Sequence, residues 1–210
     1  AMIDSTPMVV ICGQVGAAML GTDAFQEVDV VGVTQPISKW NYQIRRAEDI
    51  PWAVARAFYI ARSGRPGPVV LDFAKNAQTA MIEYAPQTVD FIRSYNPVPE
   101  TQPGSIEMAV ELINQSVKPL MLVGQGVELA GARQELLALC EKAQIPFGQT
   151  MLGLSAAPTG HPLNMGMLGM HGNLAPNVMT NQCDLLIAVG MRFDDRVTGD
   201  LHTYAKQAKV

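Results

Sequence analysis

Short continuous apolar runs alternate with amphipathic stretches along this chain. Residues 8–12 (MVVIC), 28–33, 68–73 (PVVLDF), 119–123 (PLMLV), 145–149 and 184–189 (DLLIAV) are apolar runs of strand length, bounded by glycine, proline or polar residues. Between them, helical spacing appears. Ile50, Val54, Ala57, Phe58 and Ala61 share one helical face; Asp49 is placed to cap it, Pro51 suits the first turn, and Arg62 and Gly64 suit the end. Ile106, Ala109, Val110, Ile113 and Val117 form a second face, with Ser105 as the expected N-cap, and Leu129, Ala132, Leu136, Leu139 and Cys140 a third. A loop is expected over 152–172 and a helix over 173–182. Periodicity fades over 81–104, where Pro86, Pro97, Pro99 and Pro103 accumulate, so this stretch reads as a partly extended linker. The alternation predicts an α/β protein of two parallel-sheet, Rossmann-like units, 1–80 and 105–210. The chain enters an apolar run almost at once and finishes on Lys209-Val210, which reads as the start of a strand. The first unit is therefore expected to be incomplete at its N-terminus and the second truncated at its C-terminus.

Composition narrows the class. Of 210 residues, 48% are hydrophobic and only 16% charged, which supports a packed core and argues against disorder. The formal net charge is −4 and no Lys/Arg block occurs, so nothing favours nucleic-acid binding. Cys12, Cys140 and Cys183 lie far apart without a CxxC, and the 3 histidines are scattered. This is the pattern of reduced cytoplasmic thiols rather than of disulfides or a metal cluster. No apolar run reaches the ~18 residues of a membrane span.

Ligands of open α/β sheets sit beyond the carboxyl ends of the strands. Three segments of the second half meet that rule: Gly124-Gln125-Gly126, Thr150-Met151-Leu152 and Gly190-Met191-Arg192. Glycine there lets backbone approach a phosphate, although the spacing is not GxGxxG and glycine after a strand is usually only a turn. Arg192, Asp194, Asp195 and Arg196 either form surface ion pairs and nothing more, or offer an arginine to a carboxylate or phosphate. Met165, Met167, Met170 and His171 lie in the glycine-rich loop, as plain surface or as a pocket wall tipped by His171. Phe25, Gln26, Glu27 and Lys75 show no mechanism by themselves.

Four strings taken together are more specific: GTDAFQE at 21–27, SGRPGPV at 63–69, MLGMHG at 167–172 and RFDDRVTG at 192–199. In content and order they resemble the large catalytic subunit of acetohydroxyacid synthase (acetolactate synthase), a thiamine-diphosphate enzyme family, over essentially the whole chain. The resemblance implies a transferase that condenses two pyruvates, or pyruvate and 2-ketobutyrate, with loss of CO2 in branched-chain amino acid (valine and isoleucine) biosynthesis. Its cofactors would be thiamine diphosphate, Mg2+ and FAD, the last in a non-redox role. Residues 1–80 would be the later part of the pyrimidine-binding domain, 81–104 the linker, and 105–210 most of the FAD-binding middle domain. Phe25, Gln26, Lys75, Met170 and Arg196 would line the substrate channel, with Arg196 on the carboxylate of the second ketoacid. Arg65, Gly124, Gly126, Thr150, Met151, Leu152, His171, Gly190, Arg192, Asp194 and Asp195 would contact FAD. Ala74, Asn76, Gln125 and Asn173 depart from the family's usual residues and fit a divergent bacterial branch. The family's activating glutamate and its GDG metal–diphosphate motif do not occur in these 210 residues. The chain alone is therefore expected to be inactive and to hold no cofactor tightly. The resemblance also implies a cytoplasmic homodimer or homotetramer, with a small regulatory subunit. Glyoxylate carboligase, or a stand-alone nucleotide-binding module, are the alternatives.

Overall fold

The structure, a computed structural model, describes residues 1–210 and divides into two compact units, Ala1–Glu100 and Thr101–Val210. The first unit runs β1 (Met8–Gln14), α1 (Val30–Thr34), β2 (Trp40–Ile44), α2 (Ile50–Arg62), β3 (Pro68–Ala74) and α3 (Lys75–Thr79). Its sheet is three-stranded and parallel, in the order β1-β3-β2, with Ile11 opposite Leu71 and Tyr42 also opposite Leu71. The central strand β3 is the most buried, because side chains cover both its faces. Val69 and Leu71 meet Ala53, Ala57, Ile60 and Ala61 of α2. Phe58, expected on that buried stripe, is exposed; the small Ala53 and Ala57 let the helix lie close instead.

The expected strand at 28–33 is a helix. The Asp29 side chain accepts the Gly32 N–H at 2.9 Å and caps α1, and this local bond outweighs the β preference of the valines. The strand is β2, ten residues further on, whose polar residues hid it. Asn41 Nδ2 donates to Val31 O of α1 at 2.7 Å, and Gln43 Nε2 donates to the buried Asp72 at 2.9 Å. Asp49 does not cap α2 through its side chain; it pairs with Arg46 at 3.1 Å. Part of the expected linker packs on the first unit: the Tyr95 hydroxyl donates to Ser63 O at 2.9 Å and accepts from Lys39 Nζ at 3.0 Å.

The second unit runs α4 (Ser105–Gln115), β4 (Pro119–Val123), α5 (Gln125–Leu129), α6 (Arg133–Ala143), β5 (Phe147–Gln149), β6 (Asn164–Met167), α7 (Leu174–Thr180), β7 (Leu185–Val189) and α8 (Asp195–Thr198). Its sheet is four-stranded and parallel, in the order β6-β5-β4-β7. Met121, Val123, Phe147 and Ile145 pack with Leu136 and Cys140 of α6 on one side; Leu120, Leu122 and Leu186 pack with Leu168 and Cys183 on the other. Gly104, left-handed at φ 81°, occupies the N-cap of α4, while Ser105 Oγ turns back to Gln102 O. None of α4's residues is buried, so much of the apolar face read from its spacing stands open. β6 was expected as loop. Lys209 forms a parallel bridge with Leu185, as the strand reading of Lys209-Val210 required. Asp184 ties this end of the sheet to α4: its carboxylate accepts the Ser116 hydroxyl and the N–H groups of Val117 and Lys118. The Ser116 bond, with the two backbone donors, holds its pKa below the usual value. No helix is long and apolar enough to cross a membrane.

Candidate functional site

The strands β5, β4 and β7 are neighbours in the second sheet, so their carboxyl ends form one continuous rim. Thr150 N–H donates to Val123 O at 2.9 Å, Gly124 N–H to Val189 O at 2.9 Å, and Gly126 N–H to Gly190 O at 2.8 Å. The three segments singled out from the sequence are thus stitched together. The glycines serve that stitching directly. A Cβ on Gly124 would stand 2.3 Å from Gly190 O, and one on Gly126 2.6 Å from Gly190 Cα, so the two loops cross backbone to backbone. The Gly124 and Gly126 amides are occupied within the protein. What faces outward is a mixed surface, with Met151 65%, Leu152 51% and Met170 60% exposed.

The RFDDR segment joins this rim in an ordered way. Asp194 caps α8, accepting the N–H groups of Arg196 at 3.0 Å and Val197 at 3.2 Å. Its other oxygen pairs with Arg192 Nε at 3.2 Å. Asp195 and Arg196 are 3.8 Å apart and mostly exposed, a contact of little energetic weight. Arg196 meets Met170: Met170 N–H donates to Arg196 O at 2.8 Å, and Arg196 Nη1 lies 3.6 Å from Met170 Sδ. Two residues 26 positions apart, assigned to one channel by resemblance, are brought into contact. His171, beside them, is exposed.

Several residues that brace this rim were not among the candidate site residues. Gln149, buried on β5, donates to Gly153 O at 2.9 Å and accepts from Asn164 Nδ2 at 2.9 Å. Asn177 clamps the MLGMHG loop, accepting Gly169 N–H and donating to Gly169 O, both at 2.8 Å. Asn173 Oδ1 accepts the Met167 N–H at 2.9 Å, a role for the residue that departs from the family pattern. A polar side chain inside an otherwise apolar strand, as at Gln149, was the available clue.

Phe25, Gln26, Lys75 and Arg65 belong to the first unit. Phe25 is 89% exposed on a tight loop, and Gln26 is left-handed at φ 64°. Lys75 opens α3 with its side chain in solvent, and its N–H donates to Val15 O at 3.3 Å. Asn76 holds that turn, accepting from Ala17 N–H at 2.8 Å and donating to Arg45 O at 2.9 Å. Arg65 donates to Ser5 Oγ and Ile3 O, both at 2.8 Å. The concave surface along α4, lined by Ile106, Glu107, Val110, Glu111, Asn114 and Gln115, contains none of the candidate residues.

The rim fits a dinucleotide in its chemistry: arginines at 192 and 196 for anionic oxygens, exposed Met and Leu side chains for a planar ring, and a glycine backbone at 190 open to solvent. Parallel sheets whose strand ends meet in one rim, with arginine beside exposed apolar side chains, are the architecture of α/β domains that bind cofactors. The family model described as thiamine pyrophosphate enzyme, central domain, matches residues 106–210, and the chain belongs to that family.

Its relatives are acetolactate synthase large subunits. The large subunit of Corynebacterium glutamicum is 47% identical over 211 residues, covering 100% of this chain and 34% of that protein. The isozyme 1 large subunit of Escherichia coli strain K12 is 44% identical over 210 residues, covering 100% of this chain and 37% of that protein. The chain thus spans about a third of the length of the curated relatives it matches. Among solved structures, a protein from Mycobacterium smegmatis described as a thiamin diphosphate-dependent enzyme superposes with a TM-score of 0.71 at 26% identity, over 90% of this chain and 36% of that one.

Proposed function

We propose that this chain acts within an acetolactate synthase large subunit, which joins the two-carbon remainder of one pyruvate to a second 2-ketoacid with release of CO2. Whole-chain identity of 44–47% to such subunits carries the reading, and the Met170–Arg196 contact supports it. The first unit would be the later part of the pyrimidine-binding domain, 81–104 the connection, and the second unit most of an FAD-binding middle domain. Thiamine diphosphate, bound with Mg2+ in the complete subunit, would supply the electron sink for decarboxylation of pyruvate.

The residues of this chain would bind and orient. Arg196 presents an exposed guanidinium to the carboxylate of the second ketoacid, a charge-assisted pairing that fixes its approach. Met170, on the substrate channel, and His171, at the flavin, would bridge the two. Thr150, Met151, Leu152, Gly190, Arg192, Asp194 and Asp195 would hold FAD at the rim, and Arg65 would be a further flavin contact. Gly124 and Gly126 would act by letting the rim loops cross, since their amides are bonded within the protein. Phe25 and Gln26 would line the reacting centre and Lys75 its entrance. The same reading carries a cytoplasmic homodimer or homotetramer and a small regulatory subunit.

The test assays pyruvate consumption and acetolactate formation with thiamine diphosphate, Mg2+ and FAD present. The complete large subunit carrying this segment is expected to be active, and the 210-residue chain alone inactive and without tight flavin binding. Turnover by the chain alone would refute the division of labour. A complete protein that condenses glyoxylate instead of pyruvate would refute the substrate.

A further inference from the structure

The loop that presents Phe25 and Gln26 should not hold its shape unaided. Asp23 and Gln26 are both left-handed, at φ 55° and 64°, a region that disfavours residues with a Cβ. Phe25 is 89% exposed, so its ring supplies almost no packing to enforce the turn. The order comes from Glu27. One of its carboxylate oxygens accepts the Gly21 N–H, the other accepts the Ala24 N–H at 3.2 Å, and its own N–H returns to Ala24 O at 2.9 Å. A single carboxylate thereby ties the start and the middle of the seven-residue segment Gly21–Glu27 to its end. These backbone donors, Gly21 foremost, hold the Glu27 carboxyl below its usual pKa, as expected of an anion receiving amide protons.

The base of the loop is fixed separately. Gln14 Nε2 at the end of β1 donates to Val28 O at 2.8 Å and reaches Asp72 Oδ2 at 3.3 Å. Asp72, 1% exposed on β3, also receives Gln43 Nε2. The loop is thus anchored to the sheet at Val28 and shaped at its tip by Glu27.

We propose that Glu27 is a positioning residue, which sets the presentation of Phe25 and Gln26 by bridging the Gly21 and Ala24 amides. This rests on the reading above that Phe25 and Gln26 line the reacting centre. A side chain displaced by about 1 Å can cost ~100-fold in rate, so loss of the bridge is expected to act on kcat rather than on folding.

The experiment compares Glu27→Ala, Glu27→Gln and wild type in two arms. In the 210-residue chain, amide hydrogen exchange is followed at Gly21 and Ala24, with the thermal midpoint as control. Glu27→Ala should speed exchange at both amides roughly 10-fold or more, with the midpoint nearly unmoved because the loop buries little. In the complete enzyme, Glu27→Ala should lower kcat for acetolactate formation ~10–100-fold with a smaller change in KM. Glu27→Gln, which keeps one acceptor oxygen, should recover part of that loss. Unchanged exchange in Glu27→Ala would overturn the proposal, as would faster exchange with kcat within twofold of wild type. A wild-type complete protein that makes no acetolactate would instead sink the functional reading, and the exchange arm would still decide whether Glu27 organises the loop.

Discussion

Replacing Gly190 by alanine tests whether the glycines of the rim are there for the fold before they are there for a ligand. Gly190 has φ 61°, and an added Cβ would stand 2.6 Å from Val127 N and 2.8 Å from both Gly126 C and Gly126 Cα. All three are backbone atoms, so no side chain can swing aside. The left-handed conformation costs an alanine about 1–2 kcal/mol. Forcing the two loops apart adds about 1–3 kcal/mol, the usual range for overpacking. Gly131 provides the control: it is also left-handed, at φ 67°, but an added Cβ meets nothing within 4 Å. Gly131→Ala should therefore show the conformational cost alone, and the difference between the variants should isolate the close approach. With urea m-values of about 1–3 kcal/mol/M, Gly190→Ala should lower the unfolding midpoint of the second unit by roughly 1–2 M, and Gly131→Ala by clearly less. Far-ultraviolet circular dichroism of the flavin-free chain reads this. Both tryptophans, Trp40 and Trp52, lie in the first unit, so their fluorescence gives an internal reference in the same titration. Equal shifts for the two variants would refute the crossing-loop argument. An unshifted Gly190→Ala midpoint, paired with lost flavin binding in the complete enzyme, would assign Gly190 to the cofactor instead.

Two other measurements bear on the second unit and on the thiols. Asp184 has a folded pKa lowered by the Ser116 hydroxyl and by the Val117 and Lys118 amides. Its contribution is therefore fully present above the unfolded carboxyl pKa of about 3.9 and is lost as pH falls through the lower folded value. Asp184→Asn should be less stable than wild type at pH 7 in urea titrations, with the gap closing in acid; a gap independent of pH would contradict the assignment. Among the thiols, burial pushes Cys140 up to about 11 and raises Cys183, whereas Cys12 is half-buried on the edge strand β1. A thiol reagent at pH 8 should label Cys12 in the native chain and the other two only after denaturation; native labelling of Cys140 would show that the core around Met121 opens.

Apolar runs revealed β3, β4 and β7 because both faces of these strands are covered for part or all of their length, leaving short continuous hydrophobic stretches. Where side chains satisfy one another across the fold, the pattern misled. The valines at 30, 31 and 33 resemble a strand, yet one Asp29 cap makes them helical. WNYQI looks too polar for a strand, but Asn41 and Gln43 find partners on α1 and β3. The NMGM strand was obscured by its glycine and by an asparagine whose amide serves Gln149. At the site, residue spacing placed the three rim segments at strand ends, and the fold brings them together. The Met170–Arg196 neighbourhood was legible only through resemblance, because no local periodicity links positions 26 residues apart. The bracing roles of Glu27, Gln149 and Asn177 were not legible for one shared reason. Each acts on backbone groups that a sequence does not display.

That shared reason also explains how the rim is built. Carboxyl ends of parallel strands leave turns whose amides and carbonyls need partners, and unpaired buried groups are costly. Here, partners come from two sources. Backbones of neighbouring loops bond to each other where glycine permits contact, as at Gly124, Gly126 and Gly190. Amide and carboxylate side chains, buried at Gln149 and half-buried at Asn177 and Asp194, supply the rest. With its polar groups committed inward, the rim turns Met151, Leu152 and Met170 outward beside Arg196. Covering those side chains removes apolar surface from water, worth about 25 cal/mol per Å2 before the cost of fixing the methionine rotamers, and the braced backbone spares the further cost of ordering the loops. A flat ring laid against those side chains, with its anionic end at the arginines, uses both properties of the rim at once. A ligand of small polar groups alone would leave the methionines in water and gain nothing from the bracing.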